Sequence, residues 1–188
     1  MSKPVIGVLG FSDGDKAAHE MLKPIVQAQV DAIAEALKKD GRVEVVVAED
    51  IVHSDKTAKS YAEDLKAKGV DATVFAYGVF AFPVFSVIAA RYGKGPFLLA
   101  APFNPDWPGM VSMLAAGGGL DHEGIEHFRV AGDVNEKEVL EKIVTFAKCA
   151  KVVSGLSGQK YGLIGGRSLG MYSTTVSMQD WQEKFGVD

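Results

Sequence analysis

The sequence predicts an α/β fold: a three-layer αβα sandwich around a parallel, roughly five-stranded sheet. Two observations carry this. Short apolar runs recur along the chain without polar alternation, as strands buried on both faces must. Each run is followed by a stretch of helical periodicity, and strand–helix alternation with right-handed crossovers builds a parallel sheet covered on both sides.

The elements follow in order. Pro4–Gly10 (PVIGVLG) reads as the first strand, and Lys16–Lys39 as a helix kinked or restarted at Pro24, because proline removes a helical N–H. Val43–Ala48 (VEVVVA) is the second strand, and Ser54 caps a helix reaching Lys68. Ala72–Tyr77 (ATVFAY) is the third strand, followed by a helix over Phe82–Tyr92 with Pro83 in its first turn. Pro96–Ala101 (PFLLAA) is the fourth strand, and Pro108–Leu120 is helical despite three glycines near its end. His127–Ala131 (HFRVA) is a shorter fifth strand. Asn135–Val153 is a long helix, with Asn135 as its cap and Glu138 three residues on.

Beyond a small-residue linker, Ser154–Gly158, the pattern restarts. Tyr161–Gly170 (YGLIGGRSLG) reads as a strand entering a glycine-rich turn, and Ser177–Asp188 as a helix and the start of another strand. The expected organisation is an N-terminal αβα domain over 1–154, then a linker and the opening βα segment of a second αβ domain over 155–188. A unit opening so late has little of its own to pack against. The chain is therefore expected to be the front piece of a larger protein, with the chemistry on the remainder.

Composition narrows the function. A chain of 188 residues fits one ample domain, or one domain plus a fragment of the next. The net charge of −4 provides no general attraction for nucleic acid or an anionic membrane, so neither is expected as a partner. The single cysteine, Cys149, excludes an internal disulfide and is expected to be a buried structural thiol. The N-terminus lacks a basic flank leading into an apolar run, and no stretch of about 18 apolar residues occurs, so the expected location is the cytoplasm.

Ligands of open parallel sheets bind at the carboxyl ends of the strands, which selects four loops. In Gly10–Asp15 (GFSDGD), Asp13 and Asp15 would repel a phosphate, and a capped turn is the expected role. In Gly78–Pro83 (GVFAFP), Phe80 and Phe82, with Phe85 beyond, would suit a sugar's C–H face, but equally a core or a subunit contact. In Pro102–Met110 (PFNPDWPGM), two prolines stiffen a loop carrying Asn104, Asp106 and Trp107; this is the leading site candidate, with a structural turn as its alternative. In Gly165–Ser173 (GGRSLGMYS), Arg167 could pair with an anion or simply be solvated. His122 and His127 share no helical face with a carboxylate at metal-ligand spacing, no Cys/His cluster occurs, and no G-x-S-x-G marks a serine nucleophile. The chain does not read as a complete active site.

Asn104, Pro108–Gly109 and Val111, followed by Leu114–Ala116 and Gly124, resemble a stretch of the L-fucose isomerase family. Gly165–Gly166, Ser168 and Gly170, then Trp181 and Phe185–Gly186, resemble the opening of that family's second domain, and Tyr77–Gly78 matches at the third strand end. Arg167 departs from the fucose-specific pattern, so the chain is most similar to fucose or arabinose isomerase-like proteins.

The resemblance implies an aldose–ketose isomerase, an intramolecular oxidoreductase in which Mn²⁺ polarises the sugar's oxygens while carboxylates move protons through an enediol. It implies that the metal ligands and catalytic residues lie beyond residue 188, that this chain alone is inactive, and that the parent is a homo-oligomer acting on a small sugar. It further implies that the first domain completes a neighbouring subunit's sugar pocket at the strand end matching Phe75–Phe80. The substrate-binding candidates are then Tyr77, Phe80, Phe82, Asn104, Trp107, Arg167 and Ser168. A stand-alone sugar- or nucleotide-binding module with a flavodoxin- or Rossmann-like sheet is the alternative.

Overall fold

The computed structural model describes residues 2–162, 169, 171 and 177–188. Five strands form one sheet in the order β2-β1-β3-β4-β5: β1 Val5–Gly10, β2 Glu44–Val47, β3 Ala72–Ala76, β4 Phe97–Ala101 and β5 His127–Ala131. Every pairing is parallel. Helices α1 (Lys16–Asp40), α2 (Asp55–Ala67), α3 (Pro83–Tyr92) and α4 (Gly109–His122) supply the crossovers, and α5 (Lys137–Leu156) and α6 (Met178–Phe185) follow β5.

The two cores explain why the strands read as unbroken apolar runs. Successive side chains leave a strand on opposite faces. On one face Ile6, Val8, Val74, Leu98 and Val130 meet Val26, Val30 and Ile33 of α1 and Val139, Ile143 and Val144 of α5. On the other, Leu9, Phe75, Phe97 and Leu99 meet Ala62 and Leu65 of α2, Phe85 and Ala89 of α3, and Met113, Ala116 and Leu120 of α4. The sandwich therefore has three layers, as the pattern requires. No helix among the described residues is long and apolar enough to cross a membrane.

Local signals act where side chains can satisfy them nearby. Asp15 caps α1, accepting from the Ala18 amide. Ser54 caps α2 in a reciprocal box with Thr57. Several expectations need correction. Pro24 does not restart α1, which runs unbroken through it, its apolar stripe packed along its whole length. Asn135 does not cap α5: its amide and side chain both bond to Asp133 Oδ1, and Glu136 occupies the cap position without a side-chain cap bond. Helix α5 continues through Ser154 and Gly155 to Leu156, so the small-residue linker is mostly its last turn. Cys149 is exposed, because the buried stripe of α5 passes through Ile143, Val144, Ala147 and Ala150 instead.

The segment after α5 folds back locally. The Gly158 amide bonds the Gly186 carbonyl, the Asp188 amide bonds the Gln159 carbonyl, and Tyr161 stacks on Trp181 with ring centroids 5.1 Å apart. Most of the expected strand and turn over 161–170 lies outside the described residues.

Candidate functional site

A cleft of about 420 Å³ opens at the carboxyl ends of β3 and β4, between α1 and the loop after β4. Its lining is Pro24, Ile25, Ala28 and Gln29 of α1, Gly78 after β3, and Pro102, Asn104 and Trp107 after β4. None of these eight residues is charged.

The backbone crosses here leave no room for side chains. A Cβ on Gly78 would sit 3.2 Å from the Ile25 carbonyl oxygen, so the β3 loop passes directly over α1. A Cβ on Gly109 would sit 2.5 Å from the Tyr77 carbonyl oxygen, which brings the start of α4 against the end of β3. Between these crossings, Asn104 Oδ1 accepts from the Asp106 amide at 2.9 Å, closing an Asx turn. That turn holds the loop in shape and leaves the Asn104 amide nitrogen as its donor toward a ligand. Trp107 is half-buried and packs on the α1-side core.

The aromatics of the β3 loop lie elsewhere. Tyr77 is fully buried, and its hydroxyl bonds Ser86 Oγ at 2.7 Å. Burial pushes its pKa well above the ordinary value, and the Ser86 bond opposes this only in part. Its side chain supports the strand end from within the core, stacked on Phe11 at 5.3 Å, and touches no surface where a sugar could bind. Phe82 packs over Gly14 and lies 5.6 Å from Phe85. It thus closes the crevice between the loops after β1 and β3, where the strand order reverses and nucleotides bind in related sheets. Asp13 and Asp15 complete that turn through the Asp15 amide bond to Asp13 Oδ1. Phe80 is partly exposed on the same loop and does not line the cleft. Arg167 and Ser168 lie outside the described residues.

Of the sequence candidates among the described residues, only Asn104 and Trp107 line the cleft together. The α1 wall was not anticipated. Its one sequence signal is Pro24, a helix-interior proline whose ring turns up in the cleft lining.

A larger groove, about 590 Å³, runs between β5 and α5 at the sheet edge. Leu98, Phe128, Phe146 and Val153 line it, away from the carboxyl-end loops. Its charged residues (Arg129, Glu138, Glu141 and Lys142) are engaged in ion pairs.

The family model for the first N-terminal domain of L-fucose isomerase matches residues 3–158. The chain belongs to the L-fucose isomerase family. An L-fucose isomerase of Bacteroides fragilis is 27% identical over 202 residues, covering 98% of this chain and 33% of that protein. One from Bacteroides thetaiotaomicron is 25% identical over 201 residues with the same coverage. One from Clostridium perfringens is 33% identical over 88 residues, covering 43% of this chain and 15% of the relative. The chain spans about a third of the length of the curated relatives that it matches along almost its whole length. The matched first domain contains α1, Gly78 and the Pro102–Met110 loop, and hence the whole cleft.

Proposed function

We infer that this domain holds one side of a small neutral sugar in the cleft at the ends of β3 and β4, as part of an aldose–ketose isomerase. The observation that carries this reading is the lining itself: one indole, two carboxamides and no charge. Trp107 provides an apolar face for sugar C–H groups, and Asn104 and Gln29 provide hydrogen-bonding groups for hydroxyls. A phosphate or carboxylate would find no counter-charge there. The volume lies within the range of small-molecule sites, and the position agrees with the carboxyl-end rule.

The described residues do not fit the Mn²⁺ that the family resemblance implies. Among the described residues no three His, Cys, Asp or Glu side chains converge. This chain's residues are therefore assigned binding and orientation: they hold the sugar's face, fix its hydroxyls and displace water from one side. The proton-moving carboxylates and the metal are proposed to come from another part of the parent or from a neighbouring subunit. A homo-oligomer whose subunits share the sugar site belongs to this proposal.

The test uses the 188-residue chain carrying Trp181→Phe, so that Trp107 is the sole indole. Titration with L-fucose, L-arabinose or D-arabinose is expected to change Trp107 emission saturably and to shift the side-chain amide resonances of Asn104 and Gln29. No saturable response, or a stronger one to a sugar phosphate, overturns the reading.

A further inference from the structure

His19, in the first turn of α1, is buried, and its ring stacks on His53 in the β2–α2 loop. The centroids lie 4.2 Å apart and the planes differ by 24°. His53 Nδ1 lies 3.3 Å from the Ile51 carbonyl, which can only accept, so Nδ1 carries the proton. His19 Nδ1 is buried with no hydrogen-bond partner. Two imidazoles in contact, one with an orphaned nitrogen, tolerate the neutral state and resist the doubly charged one.

The surrounding charges offer little relief. Glu20 and Lys23 of α1 and Asp50 of the β2–α2 loop act on His19, and Tyr61 of α2 and Glu49 lie beyond them, beside Asp50. Asp50 is already engaged by Lys23, Nζ to Oδ2 at 2.7 Å. Glu20 is exposed and screened by solvent. Burial, and then His53, hold His19 below the ordinary histidine value.

Downstream on the same helix stands Pro24. Having no N–H, it cannot bond the Glu20 carbonyl, so the first two turns are tied to the rest of α1 by one hydrogen bond fewer. Pro24 also lines the cleft. We propose that the His19–His53 stack is a proton-operated latch: in mild acid it releases the first two turns of α1 from the β2–α2 loop, with Pro24 as the pivot. The proposal goes beyond the sugar-binding reading and does not depend on what the cleft binds.

Amide exchange on the intact chain tests it. After correction for intrinsic exchange, opening of the Ala18–Lys23 amides is expected to rise by about tenfold or more between about pH 7.5 and 5.5. Residues 26–37 and β3 should show no such rise. His19→Phe with His53→Phe keeps two stacked rings and should abolish the dependence. Should that double variant fold poorly, His53→Phe alone should lower the slope and raise the His19 midpoint. Ring-proton titration of the unsubstituted chain should place the His19 midpoint below the ordinary histidine value. A flat profile, an equal rise throughout α1 and β3, or a His19 ring titrating at the ordinary value overturns the latch.

Discussion

Gly109 rests on the carbonyl oxygen of Tyr77, at a distance where a Cβ would lie 2.5 Å from that oxygen. The first residue of α4 is thereby set by the last turn of chain leaving β3. The loop that carries Asn104 and Trp107 ends at this contact, so its position depends on a glycine outside the cleft.

Gly109→Ala is accordingly expected to push α4 away from β3. The clash is with backbone and cannot be relieved by a rotamer change. A cost of about 1–3 kcal/mol is expected, as for other overpacked sites. Denaturant unfolding measures it, and the Trp107 side-chain resonance should move in the same variant. Unchanged stability together with an unchanged Trp107 signal would refute the contact's role.

Trp107 contributes both to the core and to the cleft, so its substitutions must be read in pairs. In the aldose–ketose isomerase proposed above, Trp107→Ala should lower kcat/KM about tenfold, equivalent to losing an aromatic contact on the order of 1–2 kcal/mol. It should also lower the melting temperature, because the indole packs against the α1-side core. Asn104→Ala should reduce kcat/KM by a similar factor. Variants that melt early yet turn over sugar normally would make the loop scaffold only.

Tyr77→Phe separates support from contact. It leaves the Ser86 hydroxyl buried without its 2.7 Å partner. A loss of about 1–3 kcal/mol in stability is expected, the range for an unsatisfied buried polar group. Sugar binding by the folded variant should equal that of the parent chain. A selective loss of binding with stability intact would return Tyr77 to the site.

Arg42 bridges Asp40 and Glu141, tying the end of α1 to α5. Hydrogen bonds from Arg42 hold both carboxyls below their ordinary values of 3.8 and 4.5. A carboxyl with a depressed folded-state pKa stabilises above its ordinary value and loses that contribution as pH falls through the folded one. Acid unfolding of the native chain should therefore steepen below pH 4.5, and Arg42→Gln should flatten that segment while leaving the neutral-pH fold intact. Superimposable pH–stability curves for the two proteins would show that the bridge contributes nothing in solution.

The sheet was legible because its cause is local and repeated. Ile6, Val8 and Leu9 are apolar without alternation since both faces of β1 are covered, and the same holds for Val74 and Phe75 in β3. Ser54 was legible as a cap because its partner Thr57 is three residues away. Asn135 looked equally plausible, but Asp133, two residues back, competes for its amide and side chain and wins. Cys149 read as buried because α5 is amphipathic, yet which residues complete the stripe depends on how α5 sits on β1, β3 and β5.

By itself the sequence determined the α/β class, the order of strands and helices along the chain, and a stiff, proline-framed loop bearing Asn104 and Trp107. Only the tertiary structure decided what faces that loop. Gln29 and Pro24 reach the cleft from α1, more than seventy residues away along the chain, because Gly78 lets the loop after β3 cross α1 at backbone distance. The same packing keeps Tyr77 and Phe82 out of the cleft lining, burying one beneath the strand end and laying the other, still exposed, over Gly14. Local periodicity reports which face of an element is buried; contacts between distant elements depend on the relative placement of whole helices and strands, which no local pattern encodes.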